Sequence, residues 1–291
     1  MSFQYPIVLD GGFATELEKQ FKKDLSGANV ATTCSYQASI EGFLQAGYTR
    51  EHGVELMNKS ISLACEARDE FRKEHPEDKE ERLVALSIGC YGAILANGSE
   101  YTGDYGNITI DRLVQFHKDR LEIFLGNKGV DFVLFETIPS VLEAEAIVKI
   151  MKEMNDLPPV GVAFQCRSDH QIADGTDLLY VLSLFDKLDC VFAVGVNCTK
   201  PQHIERLVSR IVEVNKEKED KKALLLYPDG GEVWDAVARS WDSSCKLAKD
   251  KFGFLLSKCV QDYDSRVLVG GCCGTGPDHI KSLKSYLSRK Q

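Results

Sequence analysis

The chain has 291 residues, 44% of them hydrophobic, a formal net charge of −9 and a pI near 5.3. That is enough apolar material for a large core, and it lacks the basic surplus that a nucleic-acid partner demands. No uninterrupted apolar stretch approaches the roughly 18 residues of a membrane span, so neither nucleic acid nor membrane is an expected partner.

Eight short apolar runs, rich in β-branched residues, alternate with longer amphipathic segments. In chain order the runs are Pro6–Asp10, Asn29–Cys34, Leu83–Cys90, Asp131–Thr137, Pro159–Phe164, Val191–Cys198, Ala223–Pro228 and Arg266–Cys272. Near-continuous stretches such as Phe132-Val133-Leu134-Phe135 suit parallel strands buried on both faces. Helical patterns lie between them, clearest at Arg50–Glu74, Asp111–Asn127, Ser140–Asn155, Pro201–Lys216 and Pro277–Ser288. Strand–helix alternation repeated eight times predicts an α/β (β/α)8 TIM barrel, one domain over residues 1–291. An open doubly wound sheet is the runner-up, but Gly11-Gly12-Phe13-Ala14-Thr15 after the first run does not match its Gly-x-Gly-x-x-Gly fingerprint. The charged stretches Arg72–Arg82 and Asn215–Lys222 read as solvated loops or helix ends.

In such a barrel the chemistry belongs to the carboxyl ends of the strands, so the residues closing each run form one set of site candidates. The set contains Asp10-Gly11-Gly12, Thr32-Thr33-Cys34-Ser35-Tyr36, Glu136-Thr137, Asn197-Cys198, Tyr227-Pro228 and Cys272-Cys273. Ten cysteines in one chain are often just small buried hydrophobes, and Cys65, Cys90, Cys166, Cys190, Cys245 and Cys259 are read so. Cys198, Cys272 and Cys273 are different, because each closes a strand. A vicinal pair can present both side chains together only at an irregular strand end, which Gly270, Gly271, Gly274 and Gly276 supply. Three converging thiolates hold Zn²⁺ and leave its fourth position open, the arrangement of a catalytic site. The opening Met-Ser-Phe-Gln-Tyr shows no charged segment leading into an apolar one, so no secretory signal is read. A cytoplasmic protein with reduced thiols is the expectation.

Glu136 ends an apolar run, where an unpaired charge is costly, so a cationic partner such as a substrate ammonium is expected. The N–H groups of Gly11 and Gly12, or the glycine-rich turn before Pro277, suit a carboxylate. Together these describe an amino-acid site beside a metal. No Gly-x-Ser-x-Gly elbow and no His-Glu-x-x-His pair occurs, so a serine hydrolase and a zinc metalloprotease lack support. Gly271–Gly276 also suits a phosphate, but its two cysteines favour metal.

Asp10-Gly11-Gly12 with Ala14-Thr15-Glu16-Leu17-Glu18, Thr32-Thr33-Cys34-Ser35-Tyr36-Gln37-Ala38-Ser39, Tyr101-Thr102-Gly103-Asp104-Tyr105, Phe135-Glu136-Thr137-Ile138-Pro139, Val196-Asn197-Cys198, Tyr227-Pro228-Asp229-Gly230-Gly231-Glu232-Val233-Trp234 and Gly270-Gly271-Cys272-Cys273 resemble the signatures of the homocysteine S-methyltransferases. The resemblance runs nearly end to end. It implies a (β/α)8 barrel with one zinc on Cys198, Cys272 and Cys273, and homocysteine bound by Asp10, Gly11, Gly12, Thr33, Glu136 and Asn197. The expected reaction is methyl transfer from a sulfonium donor, S-methylmethionine or S-adenosylmethionine, to homocysteine, forming methionine. Tyr36, Tyr101 and Tyr105 are donor-site candidates, since a sulfonium can rest on an aromatic face; ordinary packing is the alternative for each. A chain stopping at Gln291, without the C-terminal extension of betaine-dependent relatives, favours the sulfonium branch. The alternatives are a betaine-type enzyme and an inactive variant that binds zinc or an amino acid without turnover.

One departure stands out. Family members carry a longer segment between the Thr-Glu-Leu-Glu helix and the second strand, whereas here the first crossover is shortened, Asn29 following soon after Glu18. A crossover needs at least about 10–12 residues, so closure is expected with little slack.

Overall fold

The structure, a computed structural model, describes residues 3–12, 28–216, 218, 221–235, 240–242, 245–263 and 266–288. Its strands are β1 (Ile7–Val8), β2 (Val30–Thr32), β3 (Leu83–Gly89), β4 (Phe132–Ile138), β5 (Val160–Phe164), β6 (Val191–Asn197), β7 (Ala223–Tyr227), β8 (Val233–Asp235), β9 (Ser240–Asp242) and β10 (Val267–Val269). Eight of them form one all-parallel sheet in the order β1-β10-β7-β6-β5-β4-β3-β2, while β8 and β9 make a separate antiparallel hairpin. This is a nearly closed (β/α)8 barrel, as the alternation of runs and helices predicted. Among the described residues no helix is long and apolar enough to cross a membrane.

Every residue of β3, β4, β5 and β7 is buried, as expected of parallel strands covered on both faces. Side chains alternate between two cores. Leu83, Ala85, Phe132, Leu134, Ala163, Ala193, Leu225 and Leu268 fill the barrel interior. Val133, Phe135, Val162, Val194, Leu224 and Leu226 belong to the core shared with the surrounding helices. Carried one step further along each strand, the inward parity passes from apolar residues to Ser87, Glu136, Asn197 and Tyr227. The barrel floor is therefore greasy and its mouth polar.

The helices begin where short polar side chains satisfy free N–H groups. Thr49 accepts from His52 N–H at the head of Arg50–Glu74, Thr109 from Arg112 at the head of Ile110–Leu125, and Ser140 from Glu143 at the head of Val141–Glu153. Pro201 and Pro277 open their helices, where a missing N–H costs nothing.

Closure is made where β1 meets β2, the two ends of the strand order. The Asn29 N–H donates to the Val8 carbonyl at 2.6 Å, and Asn29 Oδ1 accepts from Val8 N–H at 3.1 Å. Asp10 accepts from Thr32 N–H at 3.0 Å and from its hydroxyl at 2.6 Å. The segment Arg72–Arg82, read as a solvated loop, reinforces this seam. Glu80 accepts from Asn29 Nδ2 at 2.9 Å and from Lys284 at 2.6 Å, and Arg82 donates to the Ala28 carbonyl. The Ala14–Glu18 motif and the rest of the shortened crossover lie outside the described residues.

A second clamp holds the loop after β2. Arg120 is 1% exposed and donates to four carbonyls: Ala38 at 2.9 Å, Gly89 at 2.6 Å, Ser35 at 3.2 Å and Tyr36 at 2.7 Å. Gly89 permits the approach, since a Cβ there would lie 2.5 Å from the Tyr36 carbonyl. Only a planar guanidinium presents enough donors in a fixed fork. Replacing it leaves several buried carbonyls unpaired, so Arg120→Met is expected to destabilise the protein by about 3 kcal/mol or more. Arg120→Lys should recover little of that loss, as read by chemical denaturation.

Candidate active site

The three strand-end cysteines converge. The Sγ atoms of Cys198, Cys272 and Cys273 all lie within 4.8 Å of one another, with Cys198 and Cys273 at 3.7 Å. Cys198 sits just past β6 in a left-handed conformation, φ 44°, which turns its sulfur toward the mouth. Cys198 and Cys272 are joined as a disulfide, where sequence reasoning expected reduced thiols. The physical reason is the convergence itself: a geometry that gathers three sulfurs also brings two within bonding reach. Of the cysteines read as core, Cys90, Cys166 and Cys259 are buried, Cys65 and Cys190 are intermediate, and Cys245 is exposed.

The donor set suits a metal. Zinc–sulfur bonds of about 2.3 Å in a tetrahedron place sulfurs roughly 3.8 Å apart, close to the Cys198–Cys273 separation. Burial, followed by the Asp229 carboxylate, pushes the Cys273 thiol above its ordinary pKa, so an anionic sulfur there calls for a cation. The loop carrying the pair is tied down, with Gly230 N–H donating to the Cys273 carbonyl at 2.7 Å and Thr275 Oγ1 to the Cys272 carbonyl at 2.6 Å.

Glu136 faces the barrel interior below the sulfurs. Its Oε2 accepts from the Tyr227 hydroxyl at 3.0 Å, and its Oε1 from the Ser87 hydroxyl. Burial pushes its pKa up, and these two hydrogen bonds pull it partly back. Sequence reasoning counted Tyr227 among the strand-end candidates without giving it a role, and passed over Ser87. Their signal was present in the strand alternation, since both follow apolar inward positions. Thr33 is placed beneath the site: its hydroxyl accepts from Ser87 N–H at 3.0 Å and pairs with Ser35 at 2.6 Å.

Asp10 stands at the mouth with both oxygens on Thr32, and burial raises its pKa. Gly11 packs so closely that a Cβ would lie 3.2 Å from Thr275 O and from Gly276 Cα. The Gly12 N–H, read as an anion donor, is used on Thr275 O at 3.2 Å. Asn197 is fully buried and bridges to β4, accepting from Thr137 N–H at 2.7 Å and donating to Thr137 Oγ1 at 2.8 Å. Those bonds hold Thr137 in its left-handed conformation, φ 60°.

The tyrosines separate. Tyr101, 47% exposed, lies close enough to Cys273 to influence its thiol. Tyr36 lies among Cys90, Thr137 and Glu136. Tyr105 is a packing residue instead: its hydroxyl donates to buried Glu143 at 2.6 Å and its ring stands edge-on to Tyr91. Glu143 is also paired with His117 Nε2 at 2.8 Å.

Comparison with known proteins agrees with this geometry. A model of the homocysteine S-methyltransferase family matches residues 25–287. This chain belongs to the homocysteine S-methyltransferase family. It is 37% identical to homocysteine S-methyltransferase 2 of Zea mays over 313 residues, 97% of this chain and 90% of the relative. That alignment is longer than the chain, so the relative carries residues absent here. The homocysteine methyltransferase MmuM of Escherichia coli superposes in its oxidized form with a TM-score of 0.78 at 28% identity, covering 96% of this chain and 95% of that one. The metallated form of the same protein gives 0.76 at 28%, covering 97% and 96%.

Because its folded pKa is raised, Glu136 makes the native state hold a proton more tightly than the unfolded chain. Stability of the substrate-free protein should therefore fall as pH rises from the unfolded value through the raised folded one. Glu136→Gln removes that segment of the pH dependence. Thermal melts from pH 4 to 8 are expected to show a variant at least as stable as the parent at the upper end.

Proposed function

We propose that this family member transfers a methyl group from a sulfonium donor, S-methylmethionine or S-adenosylmethionine, to the thiol of L-homocysteine, with zinc held by Cys198, Cys272 and Cys273. The observation carrying this reading is the convergence of three strand-end sulfurs within 4.8 Å of one another in a mouth that also contains a buried carboxylate. When bound, zinc would let the substrate sulfur ionise near neutral pH, where a free thiol with a pKa of about 8.5 is mostly protonated.

The protein's own groups account for the rest. Glu136, oriented by Ser87 and Tyr227, receives the α-ammonium of homocysteine, an attraction strengthened by its buried surroundings. The Gly11 backbone, where a Cβ would crowd Thr275 and Gly276, receives the carboxylate. Fixed at both ends, the substrate points its sulfur toward the cysteine cluster, so positioning supplies much of the rate. Tyr101, beside Cys273, offers an aromatic face to the sulfonium.

The substrate thiol gives up its proton to solvent. Its sulfur lone pair then forms the new S–CH₃ bond as the donor S⁺–CH₃ bond breaks. Donor positive charge is lost in the step and the leaving thioether is neutral, so no general acid is required. The chain's aromatic, anionic and backbone groups fit this charge change without an acid–base pair.

The test is elemental analysis and donor assay of protein kept under thiol reductant. The expected result is about one zinc per chain, with methionine formed from homocysteine and a sulfonium donor but not from betaine. Cys273→Ser should lose zinc and activity together. A zinc-free variant with full methyl transfer would overturn the metal's role, and turnover with betaine alone would overturn the donor class.

A further inference from the structure

At the carboxyl end of β5 one buried acceptor has no partner. Gln165 is 7% exposed, and its Oε1 atom is buried without a hydrogen bond. The amide cannot be turned over to relieve this. Its Nε2 donates to the Cys166 carbonyl at 3.1 Å, and the flipped amide would set two acceptor oxygens against each other. Folded proteins keep few such orphaned acceptors, and one inside a binding mouth points to a donor arriving with the ligand.

The strand register says where this acceptor stands. Ala163 lies in the barrel-interior core, so Gln165, two residues on, carries the same inward parity. Phe164 pairs with Val196 and Val196 with Leu226, which sets Gln165 level with Asn197 and Tyr227. On its other side β5 is bonded to β4, the strand that carries Glu136, and Gln165 N–H donates to the Ile138 carbonyl at 3.1 Å. Neighbouring strands are about 4.8 Å apart, within the reach of facing side chains. Thr199 fixes the strand end from the zinc side, accepting from Cys166 N–H at 2.9 Å and donating to the Asn197 carbonyl at 3.0 Å. β5 therefore carries Gln165 between β4, which bears Glu136, and β6, which leads into Cys198.

We propose that Gln165 Oε1 accepts a hydrogen bond from the α-ammonium of bound homocysteine, beside Glu136. This rests on the homocysteine reading above and adds a residue to it. An ammonium brings three N–H donors, and Glu136 is already engaged by Ser87 and Tyr227. A neutral amide oxygen supplies a further acceptor without placing a second negative charge against Glu136. It also confers selectivity: a carboxylate alone attracts any cation, whereas a directed acceptor prefers a free amine to one whose hydrogens are replaced by methyl groups.

The experiment begins with the unmodified protein under thiol reductant, homocysteine and S-methylmethionine or S-adenosylmethionine as methyl donor. Absence of methyl transfer there would overturn the homocysteine reading itself and with it the role given to Gln165. With transfer established, Gln165→Met, near in volume but lacking the acceptor, should raise the KM for homocysteine about tenfold. Its kcat, donor KM and zinc content should stay within about twofold. The decisive control is 4-mercaptobutanoate, homocysteine without its amino group, measured as a competing thiol; its inhibition constant should be the same in parent and variant. A homocysteine KM unchanged in Gln165→Met, or a loss shared equally by both thiols, overturns the assignment. Gln165→Ala gives the same split if methionine disturbs the strand end.

Discussion

The structure depends on closing a parallel sheet whose first two strands are only briefly regular. Between β1 and β2 the barrel is stitched by side chains, Asn29 to the Val8 backbone and the Asp10 carboxylate to Thr32. This seam holds β1 beside β10, and so keeps Gly11 and Gly12 against Thr275 and Gly276 next to the cysteine pair. A residue that sequence reasoning placed in the substrate site thus has a structural duty of its own. Asp10 can serve as both closure and lining because it lies where the barrel is sewn shut and where it opens.

Polar layers in the mouth are built by reaching across neighbours. Asn197 on β6 spans to Thr137 on β4, past the strand that carries Gln165. Thr33 fixes Ser87, Ser87 fixes Glu136, and Tyr227 completes the carboxylate's surroundings from the opposite strand. Behind them Arg120 gathers the carbonyls of the β2 loop into one buried fork. Each link satisfies a buried polar group that would otherwise be costly. The chemistry-bearing atoms are accordingly few and their supports many.

The cysteine cluster shows how one geometry serves two chemical states. Sulfurs gathered for a cation are also near enough to bond with each other, and here Cys198 and Cys272 do. Cys273 remains a thiol beside Asp229 and Tyr101.

The fold was legible in the sequence because a parallel barrel writes itself as repeated apolar runs, and the runs at Leu83, Phe132 and Val191 needed no tertiary information to be seen as strands. The cysteines and Glu136 were legible for a related reason: a polar residue that ends such a run has nowhere to go but the rim. Strand ends alone did not distinguish Tyr105, hydrogen-bonded to buried Glu143, from Tyr101 beside Cys273, because the two sit four residues apart in one loop and only their tertiary partners differ. Nor did they show that Arg72–Arg82 braces the seam, since charge in a loop looks the same whether it meets water or a partner. Sequence alone determined which residues arrive at the mouth, because alternation and strand length are local properties. Only the tertiary structure decided which of them remain available to a ligand. Hydrogen-bond partners such as Thr137 for Asn197 or Thr275 for Gly12 come from distant parts of the chain, and they exist only once the barrel has closed.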